Sequence, residues 1–104
     1  MDDNQIEIPP SFTALFLPPG GTRLKVPAAE VRQRYELCED LAHMLTEQAS
    51  ARLHEMGVTE WDVLARIEQG LSVEGSPVTP QEARWVVRRL AELLGWEDPG
   101  PATP

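Results

Sequence analysis

The sequence predicts an all-α domain, a small helical bundle with one long helix, two shorter helices and a proline-rich N-terminal segment packed on it. Three observations carry this. Residues 28–56 contain neither glycine nor proline and run into Gly57. Two later stretches open on a threonine with an acid three residues on, Thr59 with Asp62 and Thr79 with Glu82, which is the spacing of a helix capping box. Apolar residues recur along all three stretches in steps of three and four, the period of an amphipathic helix.

The elements follow in order. In "SFTALF", Phe12, Leu15 and Phe16 stand at i, i+3 and i+4, enough for a turn or two of helix. Pro18, Pro19, Gly20 and Gly21 then stop it. Pro27 suits the first turn of the long helix, where its missing N–H costs nothing. Val31, Tyr35, Cys38, Ala42, Leu45, Ala49 and Met56 form the inner stripe of residues 28–56, interrupted by Arg52 and widened by Leu37, Leu41 and Leu53. Thr59 caps a second helix over about 60–69, with Trp61, Leu64, Ile67 and Leu71 as its buried face and Gly70 as its stop. Thr79 caps a third over about 80–94, with Pro80 in the first helical position. Its stripe is Ala83, Val86, Val87, Leu90 and Leu94, ended by Gly95. Residues 1–10 read as a flexible N-terminus, 11–96 as a single helical domain and 97–104 as a disordered tail.

At 1.5 Å per residue the long helix spans roughly 43 Å and the other two roughly 15 and 22 Å. The short helices therefore pack end to end along the long one, or something else covers part of it. Phe12, Leu15, Phe16 and Leu17 can supply that cover from within the chain, and a second copy, a homodimer, can supply it from outside. The first is favoured, because small domains bury the aromatics they have.

Composition narrows the function. The 104 residues suit one core, and the net charge is −8. No apolar run reaches the roughly 18 residues of a membrane span. The opening "MDDNQIEIPP" lacks the basic and apolar regions of a signal peptide. Cys38 is the single cysteine, so no intrachain disulfide forms, and a cytoplasmic location is the expectation. Acids outnumber bases six to three over residues 28–56 and four to one over 57–78. Residues 79–96 reverse the balance, with Arg84, Arg88 and Arg89 against Glu82 and Glu92.

Several chemistries fail on spacing. "GGTRLK" offers the glycines and cations of a phosphate loop, but a Walker loop requires G-x-x-x-x-G-K-[ST] between a strand and a helix. Gly20 and Gly21 therefore read as a connector. Glu36, Asp40, His43, Glu47 and His54 share one face of the long helix, but a di-iron site needs a second such helix. That face reads as solvated, and no cofactor or metal is expected. Cys38 lies in the apolar stripe, and no serine stands at motif spacing from a histidine. A non-enzyme is the expectation.

The third helix carries the candidate contact surface. Trp85 stands opposite most of the inner stripe, with Arg88 and Arg89 at i+3 and i+4, near enough to lie against the indole. Tryptophan and arginine are the residues most enriched at binding hot spots. Either this indole faces solvent and a partner, or the N-terminal segment covers it through Pro18 or Pro19. Phe12 and Phe16 are the second candidate pair. A helix-turn-helix is disfavoured, because the ten residues from Gly70 to Thr79 exceed its short turn.

At "RYELCEDLA", Arg34 to Ala42, and "WVVRRLAELLGW", Trp85 to Trp96, the chain resembles a group of short uncharacterised proteobacterial helical proteins. The resemblance spans roughly residues 6–96 and includes a proline-rich N-terminus, a cysteine-containing helix and a closing Arg-Arg helix. Some of these proteins are labelled "ATPase with chaperone activity". That label implies a Walker loop and a far larger nucleotide-binding domain, neither of which is in this sequence. An accessory role beside a chaperone-type or protease ATPase is compatible with the resemblance. The functional expectation is a non-catalytic interaction or regulatory protein with an unidentified protein partner. Its contact residues would be Trp85, Arg88 and Arg89, with Phe12 and Phe16 as alternates. Nucleic-acid binding through Arg84, Arg88 and Arg89 is the alternative.

Overall fold

A computed structural model describes residues 7–100, and the described residues contain helices and no strand. α1 is Pro10–Thr13 and passes into a 3₁₀ turn, Ala14–Phe16. α2 is Ala28–Met56, α3 is Glu60–Leu71 and α4 is Pro80–Leu94. The contacts divide the chain between Leu37 and Cys38, inside α2, into two units. Among the described residues no helix is long and apolar enough to cross a membrane.

In the first unit the N-terminal segment packs on the first half of α2. Phe12 is fully buried, with its ring centroid 5.5 Å from that of Phe16 and 5.6 Å from that of Tyr35. The Tyr35 contact is edge-on, a geometry the aromatic quadrupole favours. Phe12 therefore fastens the segment, while Leu15, Phe16 and Leu17 are half-buried. The Gly21 amide donates to the Pro18 carbonyl at 2.9 Å, closing a tight turn. Pro19 sits at its first central position and Gly20, with φ +71°, at its second, the arrangement of a type II turn. Lys25 N then donates to Phe16 O at 2.8 Å. The loop thus returns to its own starting point, and the Pro27 carbonyl accepts from Glu30 N and Val31 N to begin α2.

In the second unit α3 and α4 pack with the second half of α2. Ala49 of α2, Val63, Leu64 and Ile67 of α3, and Val87, Leu90 and Ala91 of α4 form one buried cluster. Leu45, Leu53, Val58, Leu71, Leu94 and Trp96 pack around it. The alanines let the helix backbones approach, and each fully buried leucine contributes about 1.5–3 kcal/mol relative to exposure. The helix starts are as the sequence predicts. Thr59 Oγ1 accepts from Asp62 N at 3.1 Å, and Thr79 and Glu82 form a reciprocal capping box. That box satisfies the Glu82 carboxylate although the residue is almost fully buried.

The helix ends differ from one another. Gly70 does not stop α3, which continues through Leu71 until the Ser72 hydroxyl donates to the Glu68 carbonyl at 2.7 Å. Gly95 does stop α4. With φ +73° it bonds to Glu92 O, and Trp96 N bonds to Ala91 O at 2.8 Å, the double bond of a Schellman motif. Trp96 is thereby folded onto the core. Asp98 and Pro99, expected in a disordered tail, are bonded to α4 as described below. Residues 1–6 of the expected flexible N-terminus and 101–104 of the tail lie outside the described residues.

Candidate functional site: the arginines of α4 and the tryptophans

The structure decides between the two placements left open for Trp85, covered and solvent-facing. Its exposure is 8%, so the indole is not a solvent-facing anchor. The expectation assumed that α4 buries one stripe. In the structure α4 is buried on most of its circumference, with Glu82, Trp85 and Ala91 covered as well as Ala83, Val86, Val87 and Leu90 of the expected stripe. A helix enclosed on more than one side has no apolar position left to face water.

Arg84 and Arg88 occupy the remaining arc, Arg89 leaves the helix between Trp85 and Glu82, and each holds an acceptor of its own chain. Arg84 Nη1 donates to Glu68 Oε1 on α3 at 2.6 Å, and Nη2 to the Pro99 carbonyl at 3.3 Å. Arg88 grips Asp98 with Nε to Oδ1 at 3.0 Å and Nη2 to Oδ2 at 2.9 Å. Arg89 reaches α2, where Nε meets Glu39 Oε1 and Nη2 meets Oε2, both at 2.9 Å. Its Nη1 donates to Glu92 Oε1, also at 2.9 Å.

The electrostatics follow these contacts. Hydrogen bonding from Arg89 holds the Glu39 carboxyl below the ordinary carboxylate range, reinforced by His43, whose Nε2 lies 2.9 Å from Glu39 Oε2. The Arg88 guanidinium, together with the Gly100 amide, lowers Asp98 from 3.8 to about 2. Arg89 and Arg88 are held still more firmly in the charged form by their carboxylate partners.

The other candidates resolve separately. Phe12 is buried and Phe16 half-buried, both in the aromatic cluster with Tyr35. Glu36, Asp40, His43, Glu47 and His54 are all exposed, as expected of a solvated face. Among the described residues no three His, Cys, Asp or Glu side chains are grouped to hold a metal ion. Cys38 is a buried free thiol.

Trp61 lies where its sequence position does not predict. Expected in the buried face of α3, it is 68% exposed. The actual buried face is Val63, Leu64 and Ile67. Trp61 lies about 160° around the helix from Val63, so seating that valine turns the indole aside. Val63, omitted from the expected stripe, was the available signal, because it stands at i−4 from Ile67. Met56, the last residue of α2 and expected inside, is also exposed, as are Met44 and Val73. Comparison of the chain with protein-family models, curated proteins and solved structures finds no match.

Proposed function

We propose that this is a small non-catalytic interaction or accessory protein that meets a protein partner through Trp61. The observation that carries the reading is a 68% exposed indole on the first turn of a capped helix. Scattered exposed leucines or valines are ordinary, but a tryptophan offers more burial energy on association than almost any other side chain. Its rigid ring, on a helix fixed by the core, loses little conformational freedom when covered.

Charge supports a basic partner surface. Residues 38–104 contain twelve acids and five arginines. Four of those arginines, Arg66, Arg84, Arg88 and Arg89, are already bonded to carboxylates of the same unit. A nucleic acid binding through Arg84, Arg88 and Arg89 would have to displace Glu68, Asp98 and Glu39 before counterion release contributed anything. The resemblance noted above adds a chaperone-type ATPase to the candidate partners.

Placing a photoreactive amino acid at position 61 tests the reading. It predicts crosslinks to a discrete protein from position 61 and none from position 44, which is equally exposed. Crosslinks to nucleic acid, with affinity falling steeply between two ionic strengths, would favour the alternative instead.

A further inference from the structure

We propose that Arg84 and Arg88 form a receptor for an acidic turn peptide, which the chain's own Asp98–Pro99–Gly100 segment fills and which a partner segment of the same chemistry displaces. The inference is independent of the role of Trp61. It rests on the way the two arginines and the segment fit one another.

The two guanidiniums stand one helical turn apart on α4. Arg88 takes both carboxylate oxygens of Asp98, at 3.0 and 2.9 Å, a fork geometry that arginine offers and lysine does not. Arg84 takes the next residue's carbonyl, Pro99 O, at 3.3 Å. The second arm of Arg84 is fixed by Glu68 on α3, which makes Glu68 a positioning residue. The ligand is shaped as well. Gly100 N donates to Asp98 Oδ1 at 2.8 Å, an Asx turn that presets the carboxylate, and Pro99 fixes the backbone between them. The site therefore reads a carboxylate, then a carbonyl on a rigid residue, then a glycine.

The segment is held in a manner that permits exchange. Trp96 is folded onto the core by the Schellman motif, whereas Glu97 and Asp98 are exposed. The Arg88–Asp98 pair has side-chain exposures of 38% and 58%, the class of ion pair that specifies geometry while adding little net stability. The strap can therefore open after Trp96 without disturbing the core. While closed it competes at the high effective concentration of a short tether. A free peptide is thus excluded from the intact chain, and only a partner with further contacts prevails.

The test uses the full-length chain carrying Asp98→Ala, with Asp98→Asn as a second release variant. Each is titrated with the synthetic peptide Glu-Asp-Pro-Gly-Pro-Ala while the NMR signal of Arg88 Nε–H is followed. Released chains should bind the peptide at least about tenfold more tightly than the unsubstituted chain. A peptide with Asn for Asp should bind at least about tenfold more weakly, the scale of one charge-assisted hydrogen-bonded contact. Adding Arg88→Ala should abolish binding while the thermal melt stays cooperative. Equal binding by released and unsubstituted chains would overturn the proposal, as would equal affinity for the Asn peptide. So would binding that leaves the Arg88 signal unmoved, or light scattering that shows the strap exchanged within a dimer of this chain.

Discussion

Arg89 and Glu39, fifty positions apart in the chain, meet through two parallel hydrogen bonds of 2.9 Å, Nε to Oε1 and Nη2 to Oε2. The contact fastens α4 to α2, and the same carboxylate receives His43 from the following turn of α2. Both partners are mostly covered, with side-chain exposures of 28% and 19%, so the pair is less screened than a surface bridge. A double-mutant cycle of Arg89→Ala and Glu39→Ala in urea unfolding should return a coupling of about 1–2 kcal/mol. Arg89→Lys should recover less than half of it, because an ammonium cannot match both oxygens.

Acid should weaken the fold through the same carboxylates. Glu39 and Asp98 both bind their protons less readily folded than unfolded, so the unfolded chain takes up more protons as the pH falls. The stability they supply is complete above about pH 4, the unfolded carboxyl range. For Asp98 it is lost as the pH drops through the folded value of about 2. Melting temperatures at pH 6, 3 and 2 should therefore decline in that order, and Glu39→Gln should flatten the decline. Asp98→Asn should flatten it less, because that carboxylate is more than half exposed and solvent screens it.

The tryptophans should separate in unfolding experiments. Trp85→Ala removes a buried ring and should cost about 3–5 kcal/mol, while Leu90→Ala in the adjoining core should cost about 2–5 kcal/mol. Trp61→Ala should change stability by no more than about 0.5 kcal/mol, the usual range for a surface position. A large loss at position 61 would place that indole inside the fold.

The helix ends offer a smaller and cleaner effect. Thr79→Ala removes one half of the capping box and should cost about 1 kcal/mol. Gly95→Ala forces a Cβ onto a residue at φ +73° and should cost roughly as much. Both are read by chemical denaturation, and the m-value should not change.

What the sequence revealed depends on whether the cause was local. Thr59 and Thr79 open their helices where expected, and α2 and α4 have their expected bounds, because caps, prolines and αL glycines act on their immediate neighbours. Gly70 misled because a glycine stops a helix only when the chain beyond it turns away, and here Leu71 remains attached to the core. Trp61 misled, and Trp85 stayed undecided, for a tertiary reason. A helical wheel gives the angle of each residue but not the number of sides on which the helix is enclosed. α3 is covered on one side and α4 on several, so Trp61 lies outside its expected buried face and Trp85 takes the covered one of its two alternatives. The arginines of α4 were legible as a cluster. Their partners were not, since Glu39, Glu68 and Asp98 lie 50, 16 and 10 positions away in sequence.

The proposed protein contact rests on Trp61, the exposed indole, and not on Trp85, the covered one. Quantitative affinity capture with full-length protein and its Trp61→Ala variant, both checked for identical melting, tests it most directly. A discrete protein retained by the unsubstituted chain should be lost by at least about tenfold from Trp61→Ala, as for removal of an aromatic hot spot. Retention of every partner at unchanged yield by Trp61→Ala would contradict it.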